Sequence, residues 1–122
     1  MFITKYNYFI IHNTNINVYF CLELSQVEII QSLKELACVK KHTNLIYGLS
    51  ISPDNKYFVT GSRDKSIIIS DIENLADIKK KTFNSDVYQV KYSPDQKYVA
   101  GCFKDGKVRL FESKTLNEVQ CV

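Results

Sequence analysis

Two stretches of this chain, SPDNKYFVTGSRD at 52–64 and SPDQKYVAGCFKD at 93–105, are variants of one phrase. Ser52 and Ser93 lie 41 positions apart, as do Tyr57 and Tyr98, and Asp64 and Asp105, so the copies are in register without insertion or loss. A fixed period between about 20 and 50 residues marks an architecture of stacked supersecondary units, none of which can hide its apolar face alone. A chain of 122 residues then holds few such units, and each must be small.

Within the period, strand and turn signals alternate. In the first full unit YGLSIS (47–52) alternates apolar and small residues, as a half-buried strand does. PDNK follows as a turn, because Pro presets its backbone angle and Asp and Asn bond back to the local main chain. YFVTG (57–61) is a second strand, SRDK (62–65) a second turn, and SIIISDI (66–72) a third strand whose continuous apolar centre implies cover on both faces. After ENLAD comes the polar fourth strand IKKKTF (78–83). VYQVKYS, YVAGC, KVRLFE and EVQCV repeat that order from 87 to 122. Each unit reads as four short antiparallel strands, and one such sheet cannot shield both faces from water.

The first 41 residues are a worn version of the same plan. YNYFII (6–11), a turn HNTN (12–15) and INVYFCLEL (16–24) read as a hairpin, with His12 solvated in its turn. Val18, Tyr19 and Phe20 fall where Ile67, Ile68 and Ile69 fall later, so the chain enters a preceding unit at its second strand. Residues 25–40 stay open. Val27, Ile30, Leu33 and Ala37 make a helical stripe, with Ser25 and Glu28 as a capping box. VEIIQSL (27–33) reads equally as an outer strand followed by a lengthened loop, and this second reading is preferred.

Composition agrees with strands and narrows the function classes. Eight Tyr and seven Phe, with abundant Ile and Val, suit pleated half-buried surfaces. A net charge of +3 is mild, and its only run, Lys79-Lys80-Lys81, suits an exposed edge strand guarded against pairing, so nucleic acid is not the expected partner. Cys21, Cys38, Cys102 and Cys121 include no C-x-x-C pair, which argues against zinc and fits buried reduced thiols in the cytoplasm or nucleus. The opening MFITKYNYFIIHNTN does not read as a signal peptide, since Lys5 interrupts the apolar run and no small-residue cleavage site follows. No run is long and apolar enough to span a membrane.

The period, the two turns and the strand order resemble those of WD40 repeats, over about 42–122 clearly and over 1–41 only in outline. The family pattern runs from Gly-His, through a Ser-Pro-Asp-Gly turn and an acidic tight turn, to Trp-Asp. Here the first unit offers Lys41-His42, SPDNK, GSRD and Ser70-Asp71, and the second Phe83, SPDQK, CFKDG and Phe111-Glu112. The resemblance implies an all-β chain: an incomplete β-propeller with two four-stranded antiparallel blades, 42–82 and 83–122, after a degenerate partial blade and connecting segment, 1–41. It also implies a hydrogen-bonded structural network inside each blade. The matching positions are His42, Thr60, Asp64, Ser70 and Asp71 in the first unit and only Asp105 in the second, with Asp105 expected to bond to its own turn. The second blade is expected to rely on apolar packing.

His42 and Asp64 can also be cast as a base and its orienting acid, but no nucleophile is placed beside them, so no enzymatic activity is expected. GCFKDG lacks the G-K-[ST] ending of a phosphate loop, and no cofactor or metal is expected. The family's frequent contact positions fall on Leu45, Tyr47 and Arg63 in the first unit and on Asp86, Tyr88 and Lys104 in the second. The resemblance thus implies a non-enzymatic interaction scaffold, offering a rigid loop face to proteins, peptides or a multisubunit complex. Further blades, or copies of the chain, are expected to cover the exposed blade faces. The alternative is a targeting propeller appended to a kinase or ligase encoded outside this chain.

Overall fold

The computed structural model describes backbone elements at 2–3, 8–12 and 17–22, the chain from 34 to 122, and side chains over 41–122. The described residues form twelve strands and no helix. They make three four-stranded antiparallel sheets in simple up-and-down order. The first holds β1 (Phe2–Ile3), β2 (Tyr8–His12), β3 (Asn17–Leu22) and β4 (Lys34–Lys40). The second holds β5 (Ile46–Ile51), β6 (Tyr57–Ser62), β7 (Ser66–Asp71) and β8 (Asp77–Thr82). The third holds β9 (Val87–Tyr92), β10 (Tyr98–Phe103), β11 (Val108–Glu112) and β12 (Glu118–Cys121).

Three details of the N-terminal third depart from the sequence reading. A short first strand exists, with Phe2 and Ile3 paired to Ile10 and Phe9, so the chain does not enter at a second strand. His12 ends β2 opposite Val18 and does not sit in the turn. Lys34–Lys40, read as loop or helix, pairs with β3 as the outer strand. The stripe Val27–Ala37 misled because Leu36 and Cys38, and likewise Ala37 and Val39, recur just as well at a period of two. The segment 27–33 lies outside the described residues.

The turns are built by local side chains at matching places. Ser52 donates to Asp54 at 2.6 Å while Asp54 accepts the Lys56 N–H at 2.9 Å, and the Tyr57 N–H returns to Ser52 Oγ at 3.0 Å. Ser93, Asp95, Lys97 and Tyr98 repeat these bonds at 2.6, 3.0 and 3.0 Å. The left-handed turn residues are Asn55 and Gln96, with φ near 61° and 65°.

The second and third sheets pack face to face. Val59, Ile67 and Ile69 point forward onto Val87, Val90, Tyr92, Val99, Phe103, Phe111 and Leu116, and all ten are buried in one cluster. The opposite face of the second sheet carries Phe58, Thr60 and Ile68, each at 0% exposure, as the even members of an alternating strand must. β7 is therefore buried on both faces.

This joint is tight because β9 runs directly against β5 and β6. A Cβ on Gly48 would stand 2.8 Å from the Val90 backbone nitrogen, and one on Gly61 2.6 Å from Val87 Cγ1. Three polar stitches cross the same joint. The Tyr92 N–H donates to Ser50 Oγ at 3.1 Å. Asp54 and Gln96 exchange two bonds at 2.9 Å, the Asp54 N–H to Gln96 Oε1 and the Gln96 amide to Asp54 Oδ2. Lys81 reaches the Leu116 carbonyl at 3.0 Å and passes over the Phe83 and Phe111 rings, so it is not a free edge lysine.

Because the Val90 nitrogen belongs to a strand paired on its other side, it cannot retreat from a new methyl. Gly48→Ala is expected to lower unfolding free energy by about 1–3 kcal/mol, the usual cost of overpacking. Urea denaturation measures it, and a loss below about 0.5 kcal/mol, the range of neutral surface changes, would show that the strands are not in contact there.

Candidate functional site

The positions singled out in the sequence separate into a buried polar cluster and an exposed surface at one end of the sheets. The cluster forms on the back face of the second sheet. His42, 2% exposed, precedes β5, while β6 supplies Thr60 and the β6–β7 turn supplies Asp64. His42 Nδ1 lies 2.9 Å from Asp64 Oδ2 and Nε2 lies 2.7 Å from Thr60 Oγ1. Asp64 can only accept, so the neutral ring donates from Nδ1 and Nε2 accepts the Thr60 hydroxyl. Ser66 completes the cluster. Its hydroxyl donates to Asp64 Oδ1 at 2.6 Å and its oxygen lies 3.1 Å from His42 Nδ1. The Thr43 N–H adds a further bond to Asp64 at 3.0 Å.

Ser66 was missed in the sequence, although Asp64-x-Ser66 mirrors the Ser52-x-Asp54 spacing of the turn before it. Ser70 and Asp71, by contrast, do not join the cluster. Ser70 donates to Asp77 at 3.2 Å, and Asp71 accepts the Glu73 and Asn74 N–H groups at 2.8 and 3.1 Å, capping its own turn. Position 70 carries no indole, and the β7 group nearest the Thr60 hydroxyl is the Ile68 carbonyl, 3.4 Å from Thr60 Oγ1.

The third sheet solves the matching place differently. Phe83 stands where His42 does, 4.8 Å from the Phe103 ring and 5.3 Å from the Phe111 ring between centroids. Asp105 remains exposed. It accepts the Lys107 N–H at 3.0 Å and pairs with Arg109 at 2.8 Å, and the Arg109 guanidinium lies 4.4 Å from the Phe103 centroid.

The electrostatics of the cluster favour neutral imidazole beside ionised carboxylate. Burial pulls His42 below its ordinary 6.5, opposed by Asp64 and aided by Lys80, with Asp77 acting weakly the other way. For Asp64 burial acts upward, but bonds from Ser66, Thr43 and His42 together hold the carboxyl below its usual 3.8. The cluster is a closed set of donors and acceptors. No cluster of His, Cys, Asp and Glu suited to a metal occurs among the described residues.

The exposed positions gather where the strand 2–3 turns meet the connection between the sheets. Tyr47 and Tyr88, 36% and 46% exposed, touch edge to face with centroids 5.6 Å apart. Arg63 Nε stands 3.9 Å from Asp86 Oδ2 across the joint. The Arg63 N–H donates to the Leu45 carbonyl at 2.9 Å and the Lys104 N–H to the Asp86 carbonyl at 3.0 Å, which ties each turn to the start of its own first strand. Leu45 is half-buried and Lys104 exposed. All six positions thus belong to one end of the molecule.

Stacked four-stranded sheets with this joint are blades of a β-propeller. The chain matches the family model "WD domain, G-beta repeat" at residues 33–71 and 78–112, and it belongs to the WD40 family. It is 37% identical over 83 residues to Protein SOF1 of Saccharomyces cerevisiae, covering 66% of this chain and 17% of that one. WD repeat-containing protein 3 of Homo sapiens is 34% identical over 93 residues, covering 66% of this chain and 10% of that one. The chain thus spans less than a fifth of either relative. The crystal structure of the Cps50 (Swd1) β-propeller domain of Myceliophteria thermophila superposes with a TM-score of 0.78 at 16% identity, over 94% of this chain and 35% of that one.

Thr60→Val leaves His42 Nε2 buried without a donor and is expected to cost about 1–3 kcal/mol. Below pH 6.5 the unfolded chain takes up a proton at histidine that folded His42 resists, so stability falls as pH falls from there towards the lowered folded value. Asp64, held low, adds a further loss only below about 3.8. Thermal melts between pH 7.5 and 5 should show the first decline, and His42→Gln should flatten it. An unchanged slope in that variant would mean His42 is not the titrating group.

Proposed function

We propose that this chain is a non-enzymatic interaction scaffold whose binding surface is the end carrying Leu45, Tyr47, Arg63, Asp86, Tyr88 and Lys104. The observation that carries this reading is the pair Tyr47–Tyr88. Two large aromatic rings stand exposed side by side at the mouth of the joint, where a folded chain gains nothing from leaving them in water. Tyr and Arg dominate binding energy at protein interfaces, and here both are on offer together. Packing of the two sheets holds these loops still, so a partner loses little freedom to loop ordering on binding. The buried cluster of His42, Thr60, Asp64 and Ser66 serves as structure, because each of its polar groups is already engaged.

The same reading extends to the forward face of the third sheet, where Val108 and its cross-strand partner Val122 are 44% and 79% exposed. Three sheets are fewer than the roughly four to eight blades of a propeller. Further blades, of a longer chain or of another subunit, cover this face. No helix among the described residues is long and apolar enough to cross a membrane. Cys102 and Cys121 are exposed and not buried as the sequence reading had them, and free thiols so placed suit a reducing cytoplasm or nucleus.

Photo-crosslinking tests the assignment of the surface. Benzoylphenylalanine in place of Tyr88 is expected to capture partner proteins in cell extract, and Tyr47→Ala to abolish capture. The same probe in place of Lys56, in the β5–β6 turn at the opposite end, is expected to capture little. Equal capture at both ends would contradict the reading.

A further inference from the structure

The binding end carries an unequal charge account. Its carboxylates are consumed within the molecule. Asp64 is engaged by His42, Ser66 and the Thr43 N–H, and only 7% of its side chain is exposed. Asp86 keeps 14% of its side chain exposed and faces Arg63. Asp105 is held by Arg109 and the Lys107 N–H. The cations are not matched in the same way. Arg63 leaves 53% of its side chain in solvent beside a loose pair at 3.9 Å. Lys65 and Lys104 are exposed on neighbouring turns, and neither enters an ion pair within 4.0 Å among the described residues.

Backbone bonds place these cations beside the rings. Arg63 bonds to Leu45, two residues before Tyr47, and Lys104 bonds to Asp86, two residues before Tyr88. We infer that this end takes an acidic, extended protein segment bearing an aromatic or large apolar side chain. Its carboxylates meet Arg63, Lys65 and Lys104, and its apolar side chain packs on the Tyr47–Tyr88 pair. The inference rests on the reading that this end is the partner surface, and it adds the chemistry of the partner.

Nucleic acid fits the same end less well. Backbone recognition draws on a basic track that follows several phosphates, whereas the four cations of two adjacent turns, Arg63, Lys65, Lys104 and Lys107, make a short footprint. The rings also meet at 71°, so the edge of one covers part of the other's face and leaves less open surface for a base to stack.

Fluorescence anisotropy decides the matter with a short fluorescein-labelled peptide of alternating Glu and Ser around one central Phe. The expected result is saturable binding that weakens with added salt. Lys104→Glu and Lys65→Glu should each weaken it about tenfold, as should replacing the peptide's Phe by Ala, all with native circular dichroism. No binding, equal binding of the peptide with Lys for Glu, equal binding of oligouridylate, or indifference to both lysine variants would overturn the inference. Failure of the peptide while the Tyr88 crosslinker still captures partners removes only the acidic assignment. Failure of both removes the surface itself.

Discussion

The structure depends on one contact, the approach of β9 to β5 and β6. Two sheets can share a core only if their inner strands come close enough for side chains of both to interlock. Gly48 and Gly61 permit this, one against a backbone nitrogen and the other against valine methyls. Once the strands meet, Val59, Ile67 and Ile69 fill the space against Val87, Val90 and Phe111. Burial of this kind contributes roughly 1.5–3 kcal/mol per large apolar side chain, more than any single polar stitch across the joint. The polar contacts set the register: Asp54 meets Gln96, and Ser50 meets the Tyr92 backbone. The end proposed for binding inherits its shape from this joint, since Tyr47 and Tyr88 lie at the entrances of β5 and β9.

One position in the repeat is solved in two ways. The second sheet places His42 among Thr60, Asp64 and Ser66, whereas the third places Phe83 among Phe103 and Phe111. The substitutions are concerted. Gly101 replaces Thr60, and Phe103 and Phe111 stand where Ser62 and Ser70 do. A buried imidazole needs partners at both nitrogens, while a phenyl ring needs only volume. The turn Asp survives in both sheets with different work. Buried, it orients His42; exposed, Asp105 anchors Arg109 over the Phe103 ring. Phe83 has no proton to gain, so the histidine titration at this position belongs to the second sheet.

The sheets and turns from 46 onward were legible because local signals and the 41-residue period agree, as in SPDNK and SPDQK. The meeting of His42, Thr60 and Asp64 was readable through the family pattern, and the exposed tyrosines through the same alignment. What stayed hidden is contact between side chains of different units. Gln96 occupies a left-handed turn position where glycine is at ease, and the residue with which its side chain exchanges two hydrogen bonds, Asp54, lies 42 residues away. Lys81 read as an edge lysine because nothing local announces the Leu116 carbonyl or the Phe111 ring. Asp71 looked like a network member but prefers its own turn, where the Glu73 and Asn74 N–H groups are closer at hand. In the N-terminal third, the strand Lys34–Lys40 was obscured by an apolar spacing that serves a helix as well.

Native-state hydrogen exchange on the intact chain tests the joint most directly. If β9 is locked between its own sheet and its neighbour, amides of β6, β7, β9 and β10 should exchange through one common opening, and Gly48→Ala should lower the protection of all four strands by the same factor. Protection that falls in β5–β8 while β9–β12 keep theirs would mean that the sheets open independently, and the account of a shared core would be wrong.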